Sequence, residues 1–168
     1  MKRIITCILS IVLIIGLCSC TAQKDILPPD FTDFTVYDYR NNKVSLSDVY
    51  GSGKPVIFNF WTTWCPYCIN EMPDFEDVYK EYGDRVAFMM IDVNGGGNDT
   101  IPKAKDYIER MGYTFPVYFD SDLSAADAYR VSAFPTTGVI DAEGNLYYCQ
   151  SGAMTKDKLI SIIEDILK

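Results

Sequence analysis

Short, almost wholly apolar runs alternate along the chain with segments in which apolar residues recur every three or four positions. The runs at 55–61 and 86–91 are typical of strands buried on both faces of a sheet. A further short strand is predicted at 115–119. Helical spacing of apolar residues predicts four helices, at 66–82, 101–111, 123–130 and 159–166. Strands that alternate with helices indicate an α/β layered fold.

Two predicted hairpins frame these elements. Alternating residues over 31–39 and apolar residues at 44–46 flank an Asn-Asn turn signal. Apolar runs at 136–140 and 146–149 flank a second turn near the end of the chain. The second hairpin adds antiparallel strands, so the sheet is predicted to be mixed. Residues 51–53 are predicted to be a loop, and the chain shows no internal repeat and no second domain.

The first nineteen residues are predicted to be an export signal. Two basic residues precede 14 almost wholly apolar positions, 4–17, which are fewer than the ~20 that span a bilayer as a helix. Leu17-Cys18-Ser19-Cys20 resembles a bacterial lipobox in which Cys20 carries the lipid. An ordinary signal peptide or an uncleaved anchor is the alternative. The predicted organisation is a lipoprotein signal peptide at 1–19, a lipid-anchored linker at 20–30 and one folded domain at 31–168, anchored in the cell envelope and facing the periplasm.

Charge and composition exclude several functional classes. The chain has 15 Lys and Arg against 23 Asp and Glu, a net charge of −8, so it lacks the excess of cations that nucleic-acid binding needs. It contains no histidine, so a Ser-His-Asp triad, a Cys-His dyad and a His-ligated metal are impossible. We expect no metal and no nucleic-acid partner, and acid–base chemistry must come from Asp, Glu, Cys, Lys or Tyr.

The most specific chemical signal is Trp64-Cys65-Pro66-Tyr67-Cys68, where a buried strand passes into a helix. Cysteines three positions apart on a first helical turn have Cα atoms about 5–6 Å apart, which suits a disulfide. Pro66 fits the first helical position. Cys65 is therefore predicted to cap the helix, where backbone N–H groups and the helix dipole favour its thiolate. We expect Cys65 to be an exposed nucleophile and Cys68 a shielded resolving thiol.

Three other interpretations of these cysteines are weaker. A zinc site needs two more ligands, and the domain offers one further cysteine, Cys149, which is predicted to be a buried small hydrophobic residue. A static disulfide that closes so small a ring would stabilise the fold little. Thr62 stands three positions before Cys65, as in the peroxiredoxin T-x-x-C motif, but Phe58 occupies the place of that motif's proline.

The segment 59–73, Asn-Phe-Trp-Thr-Thr-Trp-Cys-Pro-Tyr-Cys-Ile-Asn-Glu-Met-Pro, resembles the signature of TlpA/ResA-like thiol-disulfide oxidoreductases, in the thioredoxin superfamily. Residues 113–117 are similar to the family's Phe-Pro-Val segment, and residues 131–137 to its cis-proline loop. The resemblance covers roughly 33–168. It implies a thioredoxin fold, with a central mixed β-sheet flanked by helices, an N-terminal β-hairpin and a β-α insertion before Pro135.

The resemblance also implies roles for individual residues. Cys65 is the nucleophile, and Cys68 resolves the mixed disulfide. Pro135 is the cis-proline that faces the pair, and it turns the backbone of Phe134 toward an extended peptide substrate. Trp64 and Phe134 are accordingly expected to bind substrate.

Proton transfer is expected to fall to Glu71, six positions after Cys65, where relatives have a carboxylate near the active site. Asn59 stands where thioredoxins place a buried Asp, and an amide cannot exchange a proton at neutral pH. Glu71 is spaced to share a helix face with Cys68, and neighbours such as Trp64 are expected to desolvate it and raise its pKa. A solvated Glu71, with water as the proton carrier, is the alternative.

The predicted function is thiol-disulfide exchange outside the cytoplasm, in which the chain reduces protein disulfides and uses no cofactor beyond the Cys65–Cys68 pair. The predicted partners are protein thiols and disulfides, an upstream electron-donor protein and, through lipid on Cys20, a membrane. The dipeptide Pro66-Tyr67 differs from that of the family's reducing members, so a disulfide-oxidising member of the same fold is one alternative. A non-catalytic peptide-binding module of this fold is the other.

Overall fold

The structure is a computed structural model that describes residues 32–95 and 97–168. The predicted signal peptide at 1–19, the linker at 20–30 and Cys20 lie outside the described residues. Within the described part, no helix combines the length and the apolar character needed to cross a bilayer.

The strands of the described part form one seven-stranded sheet in the order β2-β1-β5-β4-β3-β6-β7. Their bounds are β1 Thr35–Tyr37, β2 Lys43–Ser45, β3 Val56–Trp61, β4 Ala87–Val93, β5 Val117–Asp120, β6 Thr136–Ile140 and β7 Leu146–Ser151. The three central strands β3, β4 and β5 are parallel, whereas the hairpins β1-β2 and β6-β7 pair antiparallel with them. The prediction of a mixed sheet framed by two hairpins is confirmed.

Helices cover both faces of this sheet. Their bounds are α1 Leu46–Tyr50, α2 Pro66–Tyr82, α3 Ile101–Met111, α4 Ser124–Ala128 and α5 Lys156–Ile166. No helix was predicted at 46–50, where Ser45 and Asp48 form a capping box that begins α1, and the loop predicted at 51–53 follows this helix. The bounds predicted for α2 and α3 agree with the structure, since Cys65 and Thr100 cap the starts of these helices.

Strand β3 shows how the alternation of side chains assigns residues to the two faces. Ile57 and Trp61 belong to the apolar cluster formed with α2, α3 and α5. Phe58 and Phe60 belong to the cluster on the opposite face. Asn59 shares the parity of Ile57 and Trp61, so it lies beneath α2. A polar residue is thereby fixed under the helix that carries the cysteine pair.

The second cluster is built around aromatic rings. The Phe58 ring centroid lies 4.7 Å from that of Tyr129, 5.6 Å from Phe60 and 5.8 Å from Phe34. Gly138 pairs with Phe58 across the sheet, and a Cβ at position 138 would overlap the Phe58 ring. Glycine at this position therefore provides the space that the ring occupies.

Four elements, β4, α3, β5 and α4, lie between α2 and Pro135. The predicted β-α insertion falls in this interval. The short helix α4 is held to the end of β5 by Asp120, whose carboxylate accepts hydrogen bonds from the N–H groups of Ala125 and Ala126 at 3.3 and 2.8 Å. This anchoring matters for the site, because α4 forms one wall of the cleft beside the cysteine pair.

Candidate active site

The cysteine pair lies where β3 ends and α2 begins. Cys65 is the N-cap of α2, and its Sγ accepts a hydrogen bond from the Cys68 N–H at 3.2 Å. Pro66 occupies the first turn, where its missing N–H leaves no helical bond unmade. Cys65 and Cys68 form a disulfide with their Cα atoms 5.3 Å apart. The predicted cap and the predicted pairing distance are both confirmed.

The exposure predicted for Cys65 is wrong for this oxidised form. Cys65 is 3% exposed and Cys68 is fully buried. The exposed positions around them belong to Trp64 and Tyr67, which are 53% and 67% exposed. The aromatic side chains on either side of Cys65, rather than its sulfur, form the surface of the site.

The loop before β6 faces this surface. The Phe134–Pro135 peptide bond is cis, as predicted. The Phe134 ring meets Trp64 edge to face, with centroids 5.8 Å apart. These two rings line a cleft of about 230 Å³ whose other apolar walls are Val93, Leu123, Ala126 and Val131. Trp64 and Phe134 thus come together beside the disulfide, and their contact with substrate stays a prediction.

Glu71 is buried behind the pair on α2, with 4% exposure. Its Oε1 accepts a hydrogen bond from Asn59 Nδ2 at 2.8 Å, and its Oε2 accepts one from the Met154 N–H at 2.7 Å. Asn59 Nδ2 also donates to Thr137 Oγ1 at 3.0 Å. The carboxylate is therefore held from both sides, by a side chain of β3 and by the main chain before α5.

This environment places the titration of Glu71 near neutrality. Burial raises the pKa of Glu71 to about 7, although the hydrogen bonds from Met154 and Asn59 lower it. The prediction of a buried carboxyl with a raised pKa is confirmed. The prediction that Trp64 desolvates it has no support, because Trp64 is half exposed and packs on Phe134.

Several partners of the site were not foreseen from the sequence. Met154 contributes a main-chain N–H, which no residue type signals, and it lies 83 positions from Glu71. Asp99 accepts hydrogen bonds from both the N–H and the Oγ1 of Thr63, just before the cysteine pair. The one sign in the sequence of a structural role for Asp99 was its position directly before Thr100, the N-cap of α3.

The prediction that Cys149 is buried is also wrong. Cys149 is exposed on β7 and is the one free thiol among the described residues. Leu146 and Tyr148 alternate with it and are half-buried, so Cys149 has the opposite parity. Across the described ranges no three residues of the metal-ligating types cluster together.

Comparison with known proteins agrees with this geometry. Residues 29–149 match the sequence profile described as the AhpC/TSA family. Thiol-disulfide oxidoreductase ResA of Halalkalibacterium halodurans is 32% identical over 132 residues, which cover 79% of this chain and 72% of that protein. The chain belongs to the AhpC/TSA family, among its ResA-like thiol-disulfide oxidoreductases. Thioredoxin-like protein YneN of Bacillus subtilis is 33% identical over 127 residues, 76% of this chain and 72% of that protein.

Solved structures agree with the fold. The exposed lipoprotein thioredoxin Etrx1 of Streptococcus pneumoniae superposes with a TM-score of 0.69 at 28% identity, covering 80% of this chain and 99% of that one. A thioredoxin family thiol:disulfide interchange protein of Chlorobium tepidum superposes with a TM-score of 0.71 at 28% identity, covering 84% and 97%. The predicted thioredoxin fold is confirmed. This chain is a thioredoxin-like thiol-disulfide oxidoreductase that acts on protein thiols and disulfides.

Proposed function

We propose that the chain reduces disulfides of client proteins outside the cytoplasm, while tethered to a membrane by lipid on Cys20. The observation that carries this proposal is a disulfide at a helix N-terminus, with the cis-proline loop in front of it and a buried carboxyl of raised pKa behind it. Once reduced to the dithiol, the cysteine pair supplies the electrons; the loop supplies a place for an extended client, and the carboxyl a proton acceptor.

Reduction of a client begins with the dithiol form of the pair. The Cys65 thiolate attacks one sulfur of the client disulfide, so that a Cys65–client bond forms and the client's other sulfur leaves as a thiolate and takes up a proton. Cys68 then loses its proton and attacks the Cys65 sulfur. This step releases the second client thiol and forms the Cys65–Cys68 disulfide. Two electrons pass to the client, and a dithiol electron-donor protein restores the pair.

Glu71 is the group proposed to accept the Cys68 proton. Cys68 is fully buried, so burial opposes formation of its thiolate. Both residues belong to the buried face of α2, one helical turn apart. A carboxylate that titrates near pH 7 takes up a proton readily under neutral conditions, as a general base must.

The cis-proline loop is the proposed docking edge for the client. Neither the N–H nor the C=O of Phe134 is hydrogen-bonded within the described residues, whereas the adjacent Pro135 C=O accepts from the Gly152 N–H at 2.8 Å. An extended peptide can therefore pair with Phe134 as an added strand does. The cleft between Trp64 and Phe134 would receive an apolar side chain next to the client's cysteine.

The proposed location rests on the start of the sequence. The basic residues, the apolar run and the Leu17–Cys20 lipobox pattern support export, cleavage and lipid attachment at Cys20. The similar protein from Streptococcus pneumoniae is itself described as an exposed lipoprotein. Export would also place the Cys65–Cys68 pair where disulfides of clients can form and persist.

Two measurements test this proposal. We expect the wild-type domain to reduce insulin with a dithiol donor and the Cys65→Ser variant to be inactive; equal activity of the two would refute the role of the pair. We further expect a reduction potential below roughly −200 mV, on the side of the reducing thioredoxins. A value near about −120 mV would instead identify a disulfide-oxidising member.

A further inference from the structure

Two further buried carboxyl groups, Asp92 and Asp99, lie at the end of the sheet that carries the cysteine pair, and the exchange steps above do not use them. Asp92, in β4, is fully buried between Trp61 of β3 and Phe119 of β5. Asp99, between β4 and α3, is 3% exposed. Two acidic side chains so deeply buried without a cation need a physical account.

Asp99 holds the turn that leads into the cysteine pair. Its carboxylate accepts hydrogen bonds from the Thr63 N–H, from Thr63 Oγ1 at 2.8 Å and from the Thr100 N–H at 2.8 Å. Thr63 lies inside the turn that the Cys65 N–H closes on the Thr62 C=O at 3.3 Å. The position of Cys65 at the helix cap is thus tied to Asp99 through Thr63.

Asp92, unlike Asp99, has few hydrogen-bond donors around its carboxyl group. Its Oδ2 accepts one bond from Asn94 Nδ2 at 3.2 Å, and its Oδ1 has no donor among the described residues. Asp92 pairs with Trp61 on β3, and Asp99 binds Thr63 two residues further along, so the two carboxyl groups lie at the same end of the sheet. Two ionised carboxylates buried there would repel each other, whereas a proton on Asp92 removes this repulsion.

Electrostatics assign that proton to Asp92. Burial and the charge of Asp99 raise the pKa of Asp92 to about 8. Asp99 is the charged group among those that shift this pKa, while the strand neighbours Trp61 and Phe119 carry no charge and Asn94 is neutral. Asp99 accepts three hydrogen bonds, whereas Asp92 accepts one.

We propose that Asp99 is a positioning residue for Cys65, and that a proton on the buried Asp92 carboxyl leaves Asp99 in place against Thr63. When Asp92 loses this proton at alkaline pH, like-charge repulsion acts on Asp99, and its hold on Thr63 weakens. Thiol-disulfide exchange then becomes less efficient through displacement of the turn, although alkaline pH increases the thiolate fraction of both cysteines. This inference rests on the proposed function, because it concerns the same site. It adds an influence of pH on the position of Cys65.

The first test does not depend on activity. Side-chain carboxyl carbons of the oxidised protein are followed by ¹³C NMR from pH 3 to 10, and the Asp92 signal is assigned by its loss in Asp92→Asn. We expect the Asp92 signal to show a carboxyl that remains protonated at pH 7 and titrates near pH 8. Titration of every Asp below pH 5 would overturn the proposal.

The second test measures exchange rates from pH 6 to 9.5 in wild type, Asp92→Asn, Asp99→Ala and the exposed control Asp84→Asn. The side chain in Asp92→Asn stays uncharged at every pH, so we expect a wild-type rate at pH 7 and, above pH 8, a smaller loss of rate than in wild type. Asp99→Ala should exchange about tenfold to a hundredfold more slowly, because the turn is no longer held. An Asp92→Asn profile that follows wild type, or an Asp99→Ala rate equal to wild type, would overturn the proposal.

If Asp99→Ala does not fold, Thr63→Val tests the contact between Thr63 and Asp99 instead. That variant keeps the Thr63 N–H and loses only the Oγ1 donor, so we expect a severalfold slower exchange in a folded protein. An unchanged rate in Thr63→Val would count against the proposal. If the wild type does not reduce disulfides, the proposed function is refuted. The carboxyl titration would still show whether Asp92 is protonated at pH 7.

Discussion

Replacing Glu71 by glutamine removes the proposed base while retaining the shape of the side chain. One carboxylate oxygen becomes an NH₂ group and would face a donor, either Asn59 Nδ2 or the Met154 N–H. Asn59 Oδ1 has no partner among the described residues, so rotation of the Asn59 amide can present an acceptor to the new NH₂ group. We therefore expect the variant to fold.

Glu71 makes the free energy of unfolding depend on pH in a defined direction. The pKa of Glu71 is raised from 4.5 to about 7 in the folded protein. Folding therefore favours the protonated form, and wild type loses stability as the pH rises from about 4.5 to about 7. This pKa shift corresponds to a loss of about 3 kcal/mol in the free energy of unfolding across that pH range. Glu71→Gln should not show this loss. Denaturant unfolding at pH 5 and pH 8 measures this difference, with the exposed Glu81→Gln on the same helix as the control.

The effect on catalysis should appear in the second exchange step. Loss of a general base slows a step by up to about 10²–10⁴-fold. In single-turnover reactions of the reduced protein with a small disulfide, we expect the resolution rate of wild type to rise through about pH 7. Glu71→Gln should resolve more slowly and without this inflection. Equal rates and equal profiles from pH 6 to 9 would refute the role of Glu71 and favour water as the proton carrier.

Three further predictions concern other parts of the molecule. In the reduced domain Cys65 should be alkylated before Cys68, because it caps the helix while Cys68 is fully buried; equal rates by mass spectrometry would contradict the assignment of the nucleophile. Metabolic labelling with palmitate should mark the full chain, and Cys20→Ser should abolish the label; persistent label would exclude lipid on Cys20. Gly138→Ala should destabilise the domain by about 1–3 kcal/mol in denaturant unfolding, because the added methyl group overlaps the Phe58 ring; unchanged stability would show that the ring relaxes freely.

Local signals made the cysteine site predictable. A buried strand followed by Cys-Pro-Tyr-Cys specifies a helix start, because proline at the first turn and a cysteine cap act within a few residues. The same locality explains why the bounds of α2 agree with the structure. The short helix α1 was missed although its capping box at Ser45 and Asp48 is equally local. Here the Gly51–Gly53 turn signal outweighed a helix of five residues.

Features that depend on distant chain segments were not predictable. The burial of Glu71 requires the Met154 main chain, and the turn at Thr63 requires Asp99, 36 positions away. The low exposure of Cys65 reflects its place in the apolar cluster formed with α2, α3 and α5. Cys149 was misassigned because a strand at the edge of a sheet leaves alternate residues exposed whatever their type, and hydrophobic character alone does not select the buried face.

The central claim is that Cys65 attacks the client and Cys68 resolves the complex. The most direct measurement is trapping with Cys68→Ser, in which the second step cannot occur. After reaction with a peptide disulfide, peptide mapping by mass spectrometry should find a stable mixed disulfide at Cys65. A double variant, Cys68→Ser with Cys149→Ser, should trap equally well, because Cys149 is outside the pair. An adduct at Cys149, or none at Cys65, would contradict the account.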